Sequence, residues 1–532
     1  MTGRPVPAGA LRVRWLGRAR YRDAHAVQGA LFRSDGRYLL LLEHPPVYTC
    51  GVRTDPAHLL VDPPAVGAEL VHTDRGGDVT YHGPGQLVGY PILDVPPGPD
   101  SVPRHVHGVE QVVIDALDDL GVRAGRLSGY PGVWVDPEGP RPRKIAAIGI
   151  RVTRGRSMHG FALNVAPDME MFTHIVPCGI SDRPVTSLAA EGLTVSMREV
   201  VDVVARRAAE RWGPEVERAD AAWDAPEAPA RPTPGRAEPA GTVRITDRKP
   251  PWLRVKAEMG PEFRRVRSVM RSLDLVTVCE EAGCPNIFEC WADGTATFMI
   301  NGERCTRACG FCLVDTRRPL APDPAEPGRV AGAAARMGLD HVVVTAVARD
   351  DLADGGAAAF AATVTELRRV RPGATVEVLI PDCKGDPASL EVVFAARPDV
   401  LNHNLETVLR LQRAVRPSAS YGRSLAVLAR AREAGLVTKS GIILGLGEAE
   451  AEVLAAMADL RAAGVDILTL GQYLRPTAGH LPVARWWRPE EFARLGEQGR
   501  EMGFAHVEAS PLTRSSYHAR QAVVAAPVGA AG

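Results

Sequence analysis

Short β-rich runs alternate with helical stretches through the second half of this 532-residue chain. A strand–helix–strand connection returns the chain to the same sheet by a right-handed crossover, so the alternation predicts an α/β fold with a parallel sheet flanked by helices. We expect this sheet to curve into a partial (β/α) barrel. The predicted strands are Thr295–Ile300, His341–Val347, Thr375–Ile380, Val400–Asn404, Lys439–Leu444, Asp466–Gln472 and His506–Ser510, and the predicted helices include Gly355–Val370, Tyr421–Ala434 and Ala449–Ala463.

Three cysteines, Cys305, Cys309 and Cys312, follow the first of these strands at C-x3-C-x2-C spacing. They fall at the carboxyl end of the strand, the edge where parallel α/β folds collect reactive groups. Three thiolates can hold three irons of a [4Fe–4S] cluster and leave the fourth open to chelate S-adenosylmethionine (SAM), whose reduction yields an adenosyl radical. A structural cluster needs no open iron, so the spacing favours radical chemistry over a zinc knuckle with a distant fourth ligand.

A second cysteine triad, Cys279, Cys284 and Cys290, lies just upstream at spacings that suit neither a zinc ribbon nor a common ferredoxin. A single [4Fe–4S] cluster has four irons, so six thiols would be more ligands than it can bind. Two triads therefore predict two clusters. The second cluster then needs a fourth ligand that is not one of these thiols. The alternative is that both triads are structural metal sites, although such sites are normally closed.

From about Lys249 to Ala522 the sequence resembles lipoyl synthase. The motifs that carry this resemblance, in order, are Cys-Glu-Glu-Ala-Gly-Cys-Pro-Asn-Ile-Phe-Glu-Cys-Trp (279–291), Gly294-Thr-Ala-Thr-Phe-Met, the first triad, Asp354-Gly-Gly, Asn402-His-Asn-Leu-Glu-Thr, Lys439-Ser-Gly-Ile-Ile-Leu-Gly-Leu-Gly, Gly471-Gln-Tyr-Leu-Arg-Pro and Arg514-Ser-Ser-Tyr.

The resemblance implies insertion of two sulfur atoms, at C6 and C8, into an octanoyl chain carried on a protein lysine. It implies two [4Fe–4S] clusters, SAM and an external electron donor. One cluster, on the first triad, cleaves SAM; the other, on the second triad and Ser516, donates sulfur. Six residues of the strand-end motifs are candidate SAM contacts, although each could instead only hold the barrel together: Asp354, Gly355, Gly356, Asn404, Glu406 and Lys439.

A segment rich in Pro, Ala, Arg and Glu, residues 214–243, lacks apolar periodicity and is predicted to be a semi-extended linker. It divides a first domain, residues 1–213, from a second, residues 244–532. The first domain is predicted to be α/β with a mixed sheet. Its predicted strands are Leu11–Trp15, Tyr38–Val47, Gly132–Val135, Ile145–Thr153 and Gly160–Val165, and its predicted helices are Tyr21–Phe32, Pro103–Leu120 and Ser196–Trp212.

Three segments of the first domain carry candidate chemistry. Residues 75–86 contain four glycines, which permit close approach of a ligand to the backbone, or simply a hairpin. Lys144 follows Arg141 and Arg143, and like charges with partial burial lower a lysine pKa toward acid/base use. Cys178 lies between Pro177 and Gly179; a lone cysteine is more often a buried apolar residue than a nucleophile.

Together these segments resemble lipoyl(octanoyl) transferase of the biotin/lipoate ligase superfamily, from about Val13 to Arg207. The shared motifs are Arg-Gly-Gly-x-x-Thr-x-His-Gly-Pro-Gly-Gln (75–86), Lys144-Ile-Ala-x-Ile-Gly, His159-Gly-Phe-Ala-Leu-Asn and Pro177-Cys-Gly-Ile.

This second resemblance implies transfer of octanoate from octanoyl-acyl carrier protein to Cys178 and then to a lysine of a lipoyl domain. Such domains occur in 2-oxoacid dehydrogenases and the glycine cleavage H protein. Lys144 is the implied acid/base partner, and exchange of one thioester for another needs no ATP. ATP-dependent ligases of the superfamily share the fold and stay the nearest alternative. The implied acyl-pocket residues are Arg75, Gly76, Gly77, His82, Gly83, Gly85, His159 and Gly160.

Basic and acidic side chains balance, 63 against 63. Zero net charge argues against general binding to nucleic acid or membrane surfaces, and no apolar run is long enough to predict a transmembrane helix. Six of the nine cysteines lie between residues 279 and 312. This clustering is typical of metal ligands rather than disulfides and predicts a reducing compartment, the cytoplasm.

The two resemblances predict a bifunctional enzyme in which the product of the first domain is the substrate of the second. Two alternatives belong to other functional classes. One is a radical SAM methylthiotransferase acting on RNA, against which the zero net charge counts. The other is a non-enzymatic iron–sulfur sensor with a fatty-acid-binding first half.

Overall fold

The computed structural model describes residues 9–180, 182–213, 215–223, 241–254, 260–273, 275–277, 286–287, 297–516 and 519. The chain forms two compact units, Met1–Asp224 and Ala225–Gly532. Neither unit contains, among these residues, a helix long and apolar enough to cross a membrane. Among these residues, the cysteines at positions 50, 178, 305, 309, 312 and 383 form no disulfide, whereas Cys279, Cys284 and Cys290 lie outside the described residues.

Eleven strands and three α-helices make up the described part of the first unit. The helices are α1 (Tyr21–Arg33), α2 (Ser101–Asp119) and α3 (Met197–Trp212), and the strands are β1 (Leu11–Arg18), β2 (Arg37–Glu43), β3 (Val47–Cys50), β4 (Glu69–His72), β5 (Thr80–His82), β6 (Gln86–Ile92), β7 (Ala124–Leu127), β8 (Tyr130–Val135), β9 (Arg143–Thr153), β10 (Arg156–Asn164) and β11 (Val216–Asp220).

Eight of these strands form one sheet, in the order β11-β1-β2-β6-β10-β9-β8-β7. β1 is parallel to β2 and β11, whereas the neighbouring pairs from β2 to β7 are antiparallel. The predicted mixed sheet is therefore confirmed. Apolar residues of α2 and α3 pack on it, among them Val112 and Val204. α3 begins at a capping box, in which the side chains of Ser196 and Glu199 each accept a bond from the other's backbone N–H.

β11 lies inside the segment predicted to be a linker. Its sequence, Val-Glu-Arg-Ala-Asp, has no apolar alternation, yet it pairs in register with Leu11–Trp15 of β1. Main-chain hydrogen bonds to an edge strand need no apolar side chains, which explains why periodicity did not reveal it. The ordered part of the first unit therefore extends beyond the predicted boundary at residue 213.

A smaller sheet, β4-β3-β5, carries the glycine-rich segment of residues 75–86. This segment leaves β4, forms β5 and enters β6 of the large sheet. It is therefore held at both ends by strands.

The second unit contains eight described strands and eight described α-helices. The helices are α4 (Pro261–Ser272), α5 (Glu326–Met337), α6 (Ala357–Val370), α7 (Pro387–Ala395), α8 (Gln412–Val415), α9 (Tyr421–Glu433), α10 (Glu450–Ala462) and α11 (Pro489–Glu501), and the strands are β12 (Val276–Thr277), β13 (Thr297–Ile300), β14 (His341–Ala346), β15 (Thr375–Leu379), β16 (Val400–Asn402), β17 (Val437–Leu444), β18 (Ile467–Gln472) and β19 (His506–Ala509).

These strands form one sheet in sequence order, β12 to β19. β12 is antiparallel to β13, and every later neighbouring pair is parallel. The parallel α/β sheet is confirmed. Helices cover one face of this sheet, where Val344 of β14 packs in one core with Phe360 and Val364 of α6. The carboxyl ends of β13 to β19 lie along one edge, where the cysteine loop follows β13.

Candidate active sites

A cavity of about 240 Å³ in the first unit brings together most of the residues predicted to act there. Its wall is contributed by the glycine-rich segment, β9, β10 and the turn that carries the candidate nucleophile. The predicted residues on this wall are Arg75, Gly76, Gly77, His82, Lys144, His159, Gly160 and Cys178.

Cys178 lies on a short 3-10 turn, Pro177–Gly179, and its backbone φ is +56°. Residues other than glycine seldom adopt this left-handed conformation, and strain of this kind often occurs at functional sites. The Cys178 N–H donates to the carbonyl of Val79 at 3.0 Å. The turn is thereby fixed to the glycine-rich segment, and Cys178 is held at the cavity wall.

Lys144 lies on β9 and is buried, with its ammonium 5.4 Å from the centre of the Trp134 ring. Its backbone N–H donates to Pro184, and its carbonyl accepts from Thr186. The sequence suggested that Arg143 repels it, but adjacent residues of a strand point to opposite faces. The Arg143 guanidinium instead forms a fork with Glu191 at 2.8 and 2.9 Å. The contact described for the Lys144 ammonium is therefore the Trp134 ring. The expected repulsion of Lys144 by Arg143 is corrected, because the Arg143 guanidinium is turned away to Glu191.

Arg75 is held rigidly against the cavity. Its guanidinium donates to the Thr49 carbonyl at 2.6 Å and to the Thr49 hydroxyl at 2.9 and 3.1 Å, and it also bonds the carbonyl of Gly76. Because the side chain is buried and all of these acceptors are neutral, Arg75 keeps an uncompensated positive charge beside the cavity among the described residues.

Buried histidines near the cavity are neutral. Burial lowers the pKa of His82 well below its ordinary value and that of His159 to about 3. His82 Nδ1–H donates to Gln86, and His159 Nε2–H donates to Asp74 at 2.7 Å. This tautomer leaves His159 Nδ1 as a bare acceptor, and that atom has no hydrogen-bond partner among the described residues.

Gly83 and Gly85 lie outside the residues that form the cavity wall. Gly85 has φ +84°, and a Cβ there would lie 2.2 Å from the carbonyl oxygen of Ala166. Its N–H donates to the Glu43 carboxylate at 2.6 Å. The structure gives Gly85 a role in the turn before β6, where the chain passes closely against residue 166.

A second cavity, of about 660 Å³, opens at the carboxyl edge of the parallel sheet. Ligand pockets generally measure about 300–1,000 Å³, so this one can hold a sizeable cofactor. Six residues predicted to bind the clusters or SAM lie on its wall: Cys305, Cys309, Cys312, Asn404, Glu406 and Ser516.

The thiols of the first triad face this cavity from a loop without regular secondary structure. Burial raises the pKa of Cys309, and that of Cys312 to about 12. The Cys305 sulfur accepts N–H groups from Arg307 at 3.4 Å and Ala348 at 3.3 Å. Three converging half-buried thiols, one with N–H donors on its sulfur, fit a [4Fe–4S] cluster with one open iron. Binding of such a cluster would displace the protons of the three thiols.

Ser516 shares the cavity wall with the thiols of the first triad, and its role as a cluster ligand stays a prediction. Asn286, which lies in sequence between two cysteines of the second triad, donates to the carbonyl of Leu512 at 2.7 Å. The Asn404 amide donates to Ser515 at 2.7 Å and to Glu406 at 3.1 Å. Burial raises the pKa of Glu406.

The remaining SAM candidates lie outside this cavity wall. Asp354 accepts the N–H groups of Gly356 and Ala358 and so caps α6. The same tight turn includes Gly355. Lys439 is fully buried and donates to both oxygens of Glu377 at 3.0 Å. These residues have the structural role that the sequence left open as the alternative.

Several cavity residues were not predicted. In the first unit, Tyr21, Tyr90 and Arg53 line the wall without any motif that marks them. In the second unit, Arg307 lies between Cys305 and Cys309 in sequence and binds Asp350 and Asp382, which follow β14 and β15. The rule that polar residues at strand ends face the site, which selected Asn404 and Glu406, would also have selected these two aspartates.

Comparisons with known proteins match both units. Residues 20–209 match the lipoyl protein ligase A/B catalytic domain. Residues 238–284 match the N-terminal domain of lipoyl synthase of the radical SAM family, and residues 299–460 match the radical SAM superfamily.

Single relatives match the second half. The lipoyl synthase of Rubrobacter xylanophilus is 57% identical over 286 residues, which are 53% of this chain and 89% of that protein. The lipoyl synthase of Mycobacterium avium is 56% identical over 273 residues, 51% of this chain and 89% of that protein. A solved structure, the bipartite lipoate protein ligase of Thermoplasma acidophilum, is 19% identical, with a TM-score of 0.34, over 40% of this chain and 86% of that one.

Proposed function

Because the second half of this chain belongs to the lipoyl synthase family and a lipoyl protein ligase A/B catalytic domain precedes it, we propose that the enzyme builds the lipoyl group in two steps. The first unit transfers octanoate to a lysine of a lipoyl domain, and the second inserts sulfur into that octanoyl chain. The observation that carries the proposal is that each predicted reactive set lies on a single cavity: Cys178 with Lys144, and the first cysteine triad with Ser516.

In the first step, the Cys178 sulfur attacks the thioester carbonyl of octanoyl-acyl carrier protein. A new C–S bond forms and the old one breaks, while Lys144, as a neutral amine, takes the Cys178 proton and gives it to the departing carrier thiolate. The amine of the acceptor lysine then forms the amide, and its proton returns to Cys178 through Lys144.

A cysteine transferase agrees better with the first cavity than an ATP-dependent ligase does. A transferase of this kind needs a nucleophile on the cavity wall, and Cys178 lies there. Cys178 would have no evident task in an adenylation reaction.

In the second step, Cys305, Cys309 and Cys312 would hold a [4Fe–4S] cluster, and Asn404 and Glu406, on the same cavity wall, would contact SAM. When bound, the cluster and SAM supply a radical able to take hydrogen from unactivated carbons, such as C6 and C8 of octanoate. Cys279, Cys284, Cys290 and Ser516 would hold the second, sulfur-donating cluster. A serine oxygen is a harder ligand than a thiolate and is more readily displaced from iron, which suits a cluster that must be dismantled. The octanoyl chain lies against the apolar part of the wall, which includes Met299, Val343 and Leu379.

The partners proposed are octanoyl-acyl carrier protein, lipoyl domains and a cytoplasmic electron donor. The test is mass spectrometry of a lipoyl domain after incubation with octanoyl-acyl carrier protein, SAM and dithionite. We expect the octanoyl adduct to appear and then to gain two sulfur atoms. Release of 5′-deoxyadenosine only when RNA is supplied would favour the methylthiotransferase, and no turnover with bound iron would favour the sensor.

Matched cysteine variants separate the two steps. Cys178→Ala should abolish octanoyl transfer yet leave sulfur insertion into a lipoyl domain that already carries octanoate. Cys309→Ala should instead abolish sulfur insertion and leave octanoyl transfer intact. Cys50→Ala and Cys383→Ala change buried cysteines that lie outside both cavity walls, so both activities should persist. Persistent transfer by Cys178→Ala would show that the nucleophile is another residue.

A further inference from the structure

The side chain of Arg307 joins the cysteine loop to the segments that follow two neighbouring strands, β14 and β15. Its guanidinium forms a fork with Asp350 at 2.7 and 2.8 Å and reaches Asp382 at 2.5 Å. Arg307 and Asp382 are buried, with 7% and 0% of their side chains exposed. Burial alone would raise the pKa of Asp382, but the bond and charge of Arg307 outweigh it and lower that pKa to about 2. We call Arg307, Asp350 and Asp382 the arginine clamp.

The arginine clamp fixes both N–H groups that bond the sulfur of Cys305. One donor is the backbone N–H of Arg307 itself, and the other belongs to Ala348, two residues before Asp350. Thr306 reinforces this arrangement, because its hydroxyl donates to the Ala348 carbonyl at 2.9 Å and accepts the Asp350 N–H at 3.0 Å. The clamp therefore ties the two peptide groups to the same sulfur.

We propose that the arginine clamp sets the reduction potential of the cluster on Cys305, Cys309 and Cys312 by holding these two N–H donors against the Cys305 sulfur. The inference rests on the proposed function only in that these cysteines hold that cluster. N–H groups stabilise the more negative, reduced state of a cluster, so hydrogen bonds to its sulfurs raise the potential. Arg307 is thus a positioning residue, and Asp382 acts through it from the segment that follows β15.

Arg307→Lys is the sharpest test because it conserves the charge and removes the planar fork. We expect the equilibrium constant for one-electron reduction to fall about tenfold, which is about 59 mV. The electron comes from dithionite, and no proton is transferred. The readout is a mediated redox titration of the full-length protein followed by electron paramagnetic resonance, on the signal that changes when SAM is added.

Arg423→Lys is the matched control. Arg423 reaches the other oxygen of Asp382 at 3.4 Å but lies on α9, away from the cysteine loop. Its variant should keep the wild-type potential. Asp350→Glu supplies a second test at a side chain that is 31% exposed, and it should lower the potential in the same direction.

The possible outcomes separate this inference from the proposed function. A wild-type protein without iron would overturn the cluster assignment itself. Full iron content with an unchanged potential in Arg307→Lys would overturn only the role of the clamp. If Arg307→Lys fails to retain iron, Asp350→Glu becomes the deciding variant. An unchanged potential in Asp350→Glu, or loss of iron from it as well, would mean that the clamp holds the cysteine loop in place but does not set the reduction potential of the cluster.

Discussion

Acid should destabilise the first unit through His44, which follows β2 in the core. Its ring is fully buried. Nδ1–H donates to the Ala19 carbonyl at 2.7 Å, and Nε2 accepts the Tyr90 hydroxyl proton at 2.8 Å. A neutral imidazole satisfies both contacts, whereas a protonated ring would place a second donor against Tyr90. Burial lowers the pKa of His44 from 6.5 to about 4.

The magnitude follows from the gap between the folded and unfolded pKa values. Between pH 6.5 and about 4 the unfolded chain binds a proton at His44 that the folded unit does not, so stability falls as the pH falls. At about 1.4 kcal/mol for each pH unit, the loss totals about 3 kcal/mol. Above pH 6.5 this contribution is fully present, and below about 4 no more is lost.

Hydrogen exchange of the full-length protein, read on peptides from β2 between pH 4 and 7, measures this effect in the first unit alone. His44→Gln should unfold more readily at every pH because it disturbs two buried hydrogen bonds. The slope of its stability against pH should nevertheless be shallower than the wild-type slope by about 1.4 kcal/mol per pH unit. His107→Gln, at an exposed position of α2, should leave the slope unchanged. Equal slopes in His44→Gln and wild type would refute the reasoning.

Two further substitutions test packing. Gly85→Ala and Gly121→Ala share a φ of +84°, but a Cβ at residue 121 meets nothing within 4 Å. Gly121→Ala should therefore lose only about 1–2 kcal/mol of unfolding free energy, and Gly85→Ala, with Ala166 in the way, should lose clearly more in denaturant titrations; equal losses would contradict the contact. Lys439→Met strands the buried Glu377 carboxylate and should cost the second unit about 3–5 kcal/mol, most of which Lys439→Met with Glu377→Gln should restore. A neutral single variant would show that the pair is not buried as described.

The parallel sheet of the second unit was predictable because its strands are continuous apolar runs. β14 occupies His341–Ala346, one residue short of the prediction, and β18 ends at Gln472 as predicted. The cysteine loop was predictable for a related reason: once β13 is recognised, the edge on which the loop lies follows from the topology.

Long-range partners were not predictable. Lys439 follows the strand-end pattern of a ligand contact, but its charge is paired with Glu377, two strands away in the sheet. Arg143 is likewise engaged by Glu191, 48 residues along the chain. A single sequence shows which residues are charged and on which face of a strand they lie. It does not show which distant side chain meets them, and that partner decides whether a charge serves the site or the core.

The position of β11 has a consequence for synthesis on the ribosome. β1 emerges first but waits for residues 216–220 before its outer edge is paired, so the first unit completes its sheet only when nearly all of it has been translated. The second unit grows differently, since each new strand adds beside the one made just before it. Its proposed sulfur-donating cluster nevertheless needs Cys279 near the beginning and Ser516 near the end. Iron and sulfide loading of that cluster should therefore wait until Ser516 has been translated, later than folding of the first unit.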